Sequence, residues 1–479
     1  MALDKSTFET LVPSRFVTFA FPDPSPPSAS GDRHRHRHRH RHRRLLQVAV
    51  LDSPVQPSAA PPRVAAMLVP CHRERDWIFS TEPGHLQLLL GTPGLSRLVL
   101  IGEDPVDGRG RGLGFRRRTE CDRSRRDGRE ESLRRLVLAL SPRICFESGV
   151  PEVTFLSYED DLVASVVLEV CIGEFVGEML VEDVEIERGG GCGEREFRRR
   201  LRFKRMPNLV QTQVRIVPRE DRGETEGGFG IEDMQFRIDA GVLVHPYLAP
   251  MAASLSLIGF HIDERIQKGL RPKAFCAGVG GGALLAFLRG RLGFEVLGVD
   301  VDEMVLRVAK QYFGLEDGDF LRVVVGDAIE WIERLASWKT QGTLGAVYSR
   351  DLSVADGIDG KFDVIMVDLD SSDVSTGLVA PPLEFVRKPV LLAARSLLCE
   401  FGILVINVIP PDRLFYETMI NKVRDVFHDL YEIDVGNGEN FVLIATVASV
   451  GDCSESDVSF IMKLNSVLSG AYMDSIRKI

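Results

Sequence analysis

The stretch KAFCAGVGGGALLAFLRGRLGFEVLGVDVDEM, residues 273–304, decides the fold. It contains a short apolar strand, a glycine cluster, a helical segment and a second apolar strand that ends in acidic residues. Gly278, Gly280 and Gly282 let the backbone turn tightly from strand to helix and approach a ligand closely. Asp300 follows about 20 residues later, where an acidic side chain binds ribose hydroxyls. The stretch predicts a site for an adenosine-bearing cofactor, and both a nicotinamide dinucleotide and S-adenosylmethionine fit the glycine pattern.

The composition limits the class of protein. The chain has 479 residues, 44% of them hydrophobic, and a net charge of −10. This length allows two or three domains, and the negative charge argues against general nucleic-acid binding. The eight cysteines include no C-x-x-C pair, which indicates buried thiols in a reducing compartment. No metal site is predicted. Without a signal-like or membrane-spanning apolar run, the sequence predicts a soluble cytoplasmic protein.

Residues 1–190 are predicted to form a strand-rich α+β domain without a chemical motif, and the GGGCG cluster at 189–193 marks its end. Two polar segments are predicted to be disordered insertions. The first is the Arg/His repeat at about 31–44, which has no apolar face. The second is an Arg- and Gly-rich segment at about 107–135, which lies between the strand-like runs SRLVLIG and RLVLALS.

Residues 194–479 show a different pattern. FRRRLRFK and NLVQTQVRIV predict a β-hairpin, and from Lys273 onward five apolar strands alternate with helical segments. Alternating strands and helices predict an α/β fold with a parallel, Rossmann-like sheet. The final segments LYEIDV and FVLIATV are separated by GNGEN and predict a hairpin, so the last strand is expected to run antiparallel.

Three features favour S-adenosylmethionine over a nicotinamide cofactor. Asp327 follows the third strand, where a carboxylate can accept a hydrogen bond from adenine, although it also fits a helix N-cap. Asp368, Asp370 and Asp373 follow the fourth strand, where acids suit an amine substrate, although a polar turn has the same composition. The closing antiparallel hairpin is typical of methyltransferase sheets and atypical of dehydrogenases.

Several motifs together resemble one family. GVGGG, GVDVDEMVLRVAKQYFG, VVVGDAIEWI and DVIMVDLDSSD resemble class I methyltransferases of the spermidine-synthase-like branch. They are most similar to the C-terminal domain of the methyltransferase-like family that acts on translation elongation factor 1-alpha. VAAMLVPCHRERDWIFSTEPGHLQLLL and RRRLRFKRMPNLVQTQVRI resemble that family's central region. Family members carry two methyltransferase domains, the first for a lysine and the second for the N-terminal α-amine. Because this chain begins in the middle region, the resemblance implies only the α-amine activity.

The resemblance also implies roles for individual residues. The glycines at 278, 280 and 282 would bind the methionine side of S-adenosylmethionine. The ribose would be held by Asp300, the adenine by Asp327 with Ala328, and Gln211 would lie near the cofactor. On the acceptor side, Tyr247 would lie near the amine. Asp368 and Asp370 are expected to orient the amine and relay its proton. Cys276 stands where many methyltransferases have an acid and is expected to be a buried apolar residue.

Two other functions remain open from the sequence. An aminopropyltransferase would use decarboxylated S-adenosylmethionine, and Asp370–Asp373 has the D-S-S-D order of spermidine synthases. Two features depart from that pattern. Asp368 and Leu369 separate the strand from the D-S-S-D segment, and AGVLVHPY replaces the acid-rich segment that precedes the acceptor tyrosine in spermidine synthases. A catalytically inactive binding or scaffold protein is the other alternative, because a fold does not guarantee an activity. A protein substrate is expected and a membrane is not. The sequence does not specify the oligomeric state, and a homodimer is compatible with it.

Overall fold

The computed structural model describes residues 5–24, 45–55, 61–103, 114–117, 121–147, 149–187, 195–219, 230–341, 361–373, 377–436, 438–450, 459–468 and 471–479. The Arg/His repeat at 31–44 lies outside these residues, as does the predicted boundary cluster at 189–193. Among the described residues, no helix combines the length and the apolar character needed to cross a bilayer.

The chain divides into two compact units. The first comprises Met1–Leu168, Asp183–Glu196 and Lys204–Leu209, and the second comprises Glu169–Glu182, Phe197–Phe203 and Val210–Ile479. The predicted limits of 1–190 and 194–479 place the change of domain at a single point. In the structure, by contrast, segments between Glu169 and Leu209 belong alternately to the two units.

The strands of the first part of the chain are β1 (Phe16–Pro22), β2 (Leu45–Asp52), β3 (Val64–Leu68), β4 (Arg97–Glu103), β5 (Phe115–Arg116) and β6 (Thr154–Leu156). The helices are α1 (Trp77–Ser80), α2 (Glu82–Leu90) and α3 (Cys121–Ala139), with 3₁₀ turns at Lys5–Phe8 and Arg143–Phe146. Five strands form a mixed sheet in the order β1-β2-β4-β3-β6. Alternate residues of β2 enter two separate apolar cores, which explains why this sheet carries helices on both faces.

Helix α3 corrects two predictions. The sequence predicts disorder for the second half of the segment at 107–135 and a strand for RLVLALS. In the structure, that half and the first five residues of RLVLALS form one helix, Cys121–Ala139. Leu133, Leu136 and Val137 are buried on one side of it, and Leu140 is buried directly after its last residue. Their spacing of three, four and seven residues is helical, and a seven-residue apolar run alone does not distinguish the two structures.

The middle of the chain contributes long strands: β7 (Leu162–Gly173), β8 (Gly177–Ile186), β9 (Glu196–Phe203), β10 (Val210–Pro218) and β11 (Phe236–Ile238). The sheet order is β11-β10-β9-β8-β7-β5. The predicted hairpin is confirmed, because β9 and β10 pair antiparallel from Val210 opposite Arg202 to Ile216 opposite Phe197.

The second unit contains an eight-stranded sheet. Its strands are β12 (Lys273–Ala277), β13 (Glu295–Asp300), β14 (Leu321–Val325), β15 (Phe362–Val367), β18 (Leu398–Val408), β19 (Asp429–Asp434), β20 (Phe441–Thr446) and β21 (Arg477–Lys478). A separate two-stranded sheet pairs β16 (Ser371–Asp373) with β17 (Gly377–Val379). The helices are α4 (Leu248–Ala253), α5 (Gly259–Gln267), α6 (Ala283–Phe287), α7 (Glu303–Tyr312), α8 (Ala328–Gln341), α9 (Lys388–Leu397), α10 (Arg413–Arg424), α11 (Ser459–Val467) and α12 (Ala471–Asp474). Short turns of 3₁₀ and π helix occupy Ile231–Asp233, Ser254–Ile258 and Leu288–Leu292.

The order of the large sheet is β14-β13-β12-β15-β18-β20-β19-β21. The strands from β14 to β18 are parallel to their neighbours, whereas β20 is antiparallel to both β18 and β19. This arrangement confirms the predicted Rossmann-like methyltransferase sheet with a closing antiparallel strand. The chain order reverses between β12 and β15, and ligands of open α/β sheets bind at the carboxyl ends of the strands beside such a point.

Two apolar cores cover the faces of this sheet. On β12, Ala274 and Cys276 enter one core, and Phe275 and Ala277 enter the other. The period of two residues is that of a strand buried on both sides, so every residue of β12 is apolar after the first. The packing fixes the strand ends and therefore the loops that carry the candidate site.

Candidate functional site

The glycine loop follows β12 at the carboxyl edge of the sheet. Gly278, Gly280 and Gly282 have φ angles of +86°, +51° and +78°. A side chain is disfavoured at such angles, and a Cβ at Gly278 would also overlap the carbonyl oxygen of Asp368. A Cβ at Gly281 would lie 2.6 Å from Cγ2 of Thr212 in β10, whereas the nearest atom at Gly280 is 4.0 Å away. The loop is therefore closely packed on two sides and open at Gly280.

Asp300 ends β13 and holds this loop. Its Oδ2 accepts hydrogen bonds from the backbone N–H groups of Val279 (3.0 Å) and Gly280 (3.2 Å), and Oδ1 accepts one from Asp302 (3.2 Å). Burial raises the pKa of Asp300, and the three backbone hydrogen bonds act in the opposite direction. The sequence assigned Asp300 to the ribose, and the structure adds a role in fixing the loop conformation.

Asp327 lies in an exposed position just after β14. Its Oδ1 accepts hydrogen bonds from the backbone N–H groups of Ile329 (2.7 Å) and Glu330 (3.4 Å). These contacts cap helix α8, whose first residue is the buried Ala328. The N-cap role considered from the sequence is therefore present, and the adenine role of Asp327 stays a prediction.

Asp368 follows β15 directly beside the glycine loop, because its backbone N–H donates to the Ala277 carbonyl over 2.8 Å. Its Oδ2 accepts a hydrogen bond from the Tyr247 hydroxyl (2.9 Å), and its Oδ1 accepts one from Nδ2 of Asn407 (3.0 Å). Asn407 in turn accepts a hydrogen bond from Nδ2 of Asn440 over 2.8 Å. The structure therefore brings together two predicted residues, Asp368 and Tyr247, and adds two that the sequence analysis missed.

The environment of Asp368 makes its carboxylate unusually basic. Burial raises its pKa to about 6, while the hydrogen bonds from Asn407 and Tyr247 counteract that increase. The negative charges of Asp370 and Asp300 also contribute to the increase. Burial and the charge of Asp368 also raise the pKa of Tyr247 well above its ordinary value, so the phenol stays protonated and donates. A carboxylate with this pKa is mostly ionised at neutral pH and accepts protons more readily than an exposed one.

Gln211 lies in β10, one residue before the Thr212 that packs against the glycine loop. Its Nε2 is buried and has no hydrogen-bond partner among the described residues. An unpaired buried amide is costly unless a ligand completes it. Together with the opening at Gly280, this donor fits a polar cofactor beside the loop.

His245 is a further residue that the sequence analysis did not assign. Its ring packs edge-on against Tyr247 with 4.6 Å between the ring centres, and its Nδ1 is buried without a partner among the described residues. Burial and the positive charges of Arg198 and Arg200 lower the pKa of His245 to about 4, so the ring is neutral at physiological pH. Its position two residues before Tyr247 was the only sequence signal available.

Cys276 is buried in β12, and burial raises the pKa of its thiol. This agrees with the prediction of an apolar packing residue. The carboxylate of Asp370 contributes negative charge near Tyr247 and Asp368, whereas the side chain of Asp373 lies outside the described residues.

Comparisons with known proteins support the resemblance. No family model matches the chain. The chain is 28% identical over 422 residues to the eEF1A lysine and N-terminal methyltransferase of Danio rerio, covering 84% of this chain and 54% of the relative. The human protein of that name is 25% identical over 402 residues, with coverage of 80% and 50%. A homologue from Drosophila melanogaster is 24% identical over 387 residues, with coverage of 79% and 48%.

Solved structures with a similar fold include human methyltransferase-like protein 13 in complex with SAH. It is 22% identical with a TM-score of 0.38, covering 48% of this chain and 93% of that one. A probable spermidine synthase from Corynebacterium glutamicum is 12% identical with a TM-score of 0.40, covering 65% of this chain and 90% of that one. The chain is thus similar in sequence to eEF1A lysine and N-terminal methyltransferases, and it spans about half the length of these relatives.

Proposed function

We propose that the protein is an S-adenosylmethionine-dependent methyltransferase whose acceptor is the N-terminal α-amine of a protein, namely translation elongation factor 1-alpha. The observation that carries this proposal is the buried Asp368, held between Tyr247 and Asn407 beside the glycine loop. Similarity to the relatives over 84% of the chain supports the choice of reaction and substrate. An elongation factor as substrate would place the activity in the cytoplasm.

The residues around the glycine loop fit S-adenosylmethionine. Gly280 leaves room at the loop, Gln211 offers an unpaired buried donor and Asp300 fixes the backbone N–H groups of the loop. Asp327 and Ala328 would flank the adenine, and Asp300 would share its carboxylate with the ribose. When bound, this cofactor supplies a methyl group on a positively charged sulfur, so the leaving group needs no activation. What remains for the protein is to position a neutral amine, and such alignment contributes on the order of 7–11 kcal/mol.

The pKa of Asp368 favours an α-amine over a lysine. An α-ammonium group has a pKa near 8 and a lysine ammonium near 10.4. Transfer of a proton to a carboxylate with a pKa of about 6 is therefore uphill by about 3 kcal/mol from the α-amine and about 6 kcal/mol from lysine. Asp368 can thus orient and deprotonate an α-amine at modest cost, with Tyr247 and Asn407 fixing the direction of its oxygens.

Sequence similarity favours a peptide acceptor over a polyamine, because the relative that matches over 84% of the chain is named as a lysine and N-terminal methyltransferase. The charges do not separate the two acceptors. Negative charges of Asp368 and Asp370 act on Tyr247, whereas positive charges of Arg198 and Arg200 act on the neighbouring His245. The hydrogen-bonded arrangement of Asp368 argues against an inactive scaffold. Burying a carboxylate lowers the stability of the fold, and an apolar residue at this position would pack without that loss.

The proposal is tested by mass spectrometry of an N-terminal peptide of the elongation factor after incubation with the protein and S-adenosylmethionine. We expect methylation at the α-amine, the same methylation after internal lysines are replaced by arginine, and none on the N-acetylated peptide. Acetylation converts the amine to an amide, whose nitrogen is not nucleophilic. A methylated acetyl-peptide would therefore contradict the α-amine assignment. Conversion of putrescine to spermidine with the decarboxylated cofactor would instead establish the aminopropyltransferase.

A further inference from the structure

A second cluster of reactive side chains lies at the opposite end of β15 from Asp368. Asp363 is the second residue of β15 and is completely buried. His261 from α5 and Cys399 from the beginning of β18 approach the same carboxylate. Asp363 and Asp368 are five residues apart, which corresponds to roughly 16 Å along a strand. The cluster is therefore separate from the methyltransferase site.

The three side chains present one ligand atom each to a common point. The distances are 2.8 Å between His261 Nε2 and Asp363 Oδ1, 3.4 Å between Cys399 Sγ and His261 Nε2, and 3.5 Å between Cys399 Sγ and Asp363 Oδ1. Zinc–nitrogen and zinc–oxygen bonds of about 2.0–2.1 Å and a zinc–sulfur bond of about 2.3 Å require tetrahedral edges of roughly 3.3–3.6 Å. The two edges to sulfur already match, and only the His–Asp edge has to open by about half an ångström.

Neighbouring groups hold Asp363 Oδ1 and Cys399 Sγ in position by contacts like those around metal ligands. The other oxygen of Asp363, Oδ2, accepts a hydrogen bond from the backbone N–H of Lys273 (2.7 Å) and lies 3.2 Å from Nε of Arg265, which leaves Oδ1 directed at the cluster. Burial and the negative charge of Asp363 raise the pKa of the Cys399 thiol to about 12, and the backbone N–H of Phe401, which donates to the sulfur, acts in the opposite direction. The charge of a bound metal ion would therefore be needed to hold Cys399 as a thiolate. Hydrogen-bonded ligands of this kind are typical of metal centres.

The backbone explains how Cys399 reaches this position. Pairing between β15 and β18 runs from Phe362 opposite Leu398 to Val364 opposite Ile403, so four residues of β18 oppose the single residue Asp363. The additional residues form a bulge that brings the sulfur to the carboxylate. Bulges that re-aim a side chain recur at functional sites. The sequence could not reveal this cluster, because its three members are distant along the chain and lack metal-binding spacing.

We propose that His261, Asp363 and Cys399 bind a zinc ion at this edge of the sheet. A carboxylate and a thiolate neutralise the two charges of Zn²⁺, and the nitrogen–oxygen–sulfur set suits zinc better than magnesium or calcium. Binding replaces the thiol proton of Cys399, which is released to solvent, and takes His261 in its neutral form. His261 and Cys399 are partly exposed, so a water molecule can fill the fourth position. The ion would fasten α5 to the first residues of β15 and β18.

The test uses the full chain, stripped with a chelator and titrated with Co²⁺ as a spectroscopic substitute for zinc. We expect visible bands of a tetrahedral site together with a near-ultraviolet sulfur-to-cobalt charge-transfer band at about one equivalent. The charge-transfer band is the decisive signal, because it requires a sulfur ligand and the alternating Arg and His residues at 33–44 contain no sulfur. Cys399→Ser should abolish this band, and His261→Gln should weaken cobalt binding at least about tenfold.

Cys71→Ser is the matched control, because Cys71 is an exposed cysteine in the first unit, and this variant should retain the band. A second measurement needs no variant. Zinc should slow alkylation of Cys399 in the native protein, as quantified by peptide mass spectrometry, without slowing that of Cys71. A sulfur band that persists in Cys399→Ser, or equal alkylation of Cys399 with and without zinc, would show that the cluster is only a hydrogen-bonded group.

Discussion

The hydroxyl of Tyr247 donates a hydrogen bond to Oδ2 of Asp368 over 2.9 Å, although the two residues are 121 positions apart in the chain. Asn407 holds the other oxygen of the same carboxylate at 3.0 Å. Because both oxygens accept from neutral donors, the hydrogen-bond partners of Asp368 within the described part of the chain leave its negative charge without a cationic partner. That leaves the carboxylate suited to a positively charged or proton-donating ligand such as an amine.

Asp368→Asn should separate catalysis from cofactor binding. The amide keeps the size of the carboxylate but neither attracts an ammonium group nor accepts its proton. We expect kcat for peptide methylation to fall by at least about 100-fold, the usual scale for removing a general base. Calorimetry should find the affinity for S-adenosylmethionine changed by less than about threefold, since the lost contact lies on the acceptor side. Equal losses in both quantities would assign Asp368 to the cofactor instead.

The pH dependence of kcat should report the ionisation of Asp368. Methyl transfer requires the ionised form, so kcat should rise through pH 6 as pH increases and then level off. Asn407→Ala removes a hydrogen bond that lowers this pKa, and the acidic limb should therefore move to higher pH. Asn421→Ala, at an exposed position of α10, is the control and should leave the profile unchanged. A profile that is flat between pH 5 and 7 would exclude Asp368 as the titrating group.

The sequence predicted the large sheet well because its signals are local. Apolar strands of five or six residues alternate with helices, and the glycine loop and the GNGEN hairpin are specified by residues adjacent in the chain. The prediction of a strand for RLVLALS was wrong. The helical spacing of its buried residues is recognisable only when Leu133 is included, and Leu133 lies in the preceding polar segment. Local patterns thus determine elements reliably where the apolar period is complete.

The site was predictable only in part, because its geometry depends on distant contacts. Asp368 and Tyr247 were assigned from motifs, but Asn407 lies in the apolar strand GILVINVI, where a buried polar residue was a signal that went unused. The contacts of Asp300 with the backbone of Val279 and Gly280 depend on the conformation of the loop, which no residue pattern specifies in advance.

Asp300→Ala should weaken S-adenosylmethionine binding by more than the loss of the ribose contacts alone would, because the glycine loop also loses its support. The carboxylate accepts from two loop N–H groups, and charge-assisted hydrogen bonds contribute roughly 1.5–3 kcal/mol each. We expect the dissociation constant measured by calorimetry to increase at least about 100-fold. Glu303→Ala, at the exposed first turn of α7, should bind normally. An Asp300→Ala protein that folds and changes affinity less than about tenfold would contradict the assignment of Asp300 to the cofactor.

Asp368 should also make the fold less stable as pH rises. Its pKa is about 6 in the folded protein and near 3.9 in an unfolded chain, so the folded state binds the proton more tightly. The free energy of unfolding should therefore fall by about 2 kcal/mol between pH 4 and pH 6.5 through this group alone. Asp368→Asn lacks the ionisable carboxyl group and therefore lacks this pH-dependent contribution to the free energy of unfolding. Chemical denaturation at both pH values should show the variant gaining stability relative to the parent as pH increases, and a constant difference would mean that the pKa is not raised.

Gly278→Ala provides the sharpest test of the glycine loop. The φ angle of +86° disfavours any side chain, and the added methyl group would overlap the carbonyl oxygen of Asp368. Relief of this overlap has to move either the loop or Asp368, so both S-adenosylmethionine binding and methyl transfer should decline, each by at least about tenfold. Gly290→Ala is the matched control, because a Cβ there meets no atom within 4 Å and its φ lies outside the left-handed region. The control should bind the cofactor as the parent does. If Gly278→Ala also binds and turns over normally, the loop does not form the cofactor site.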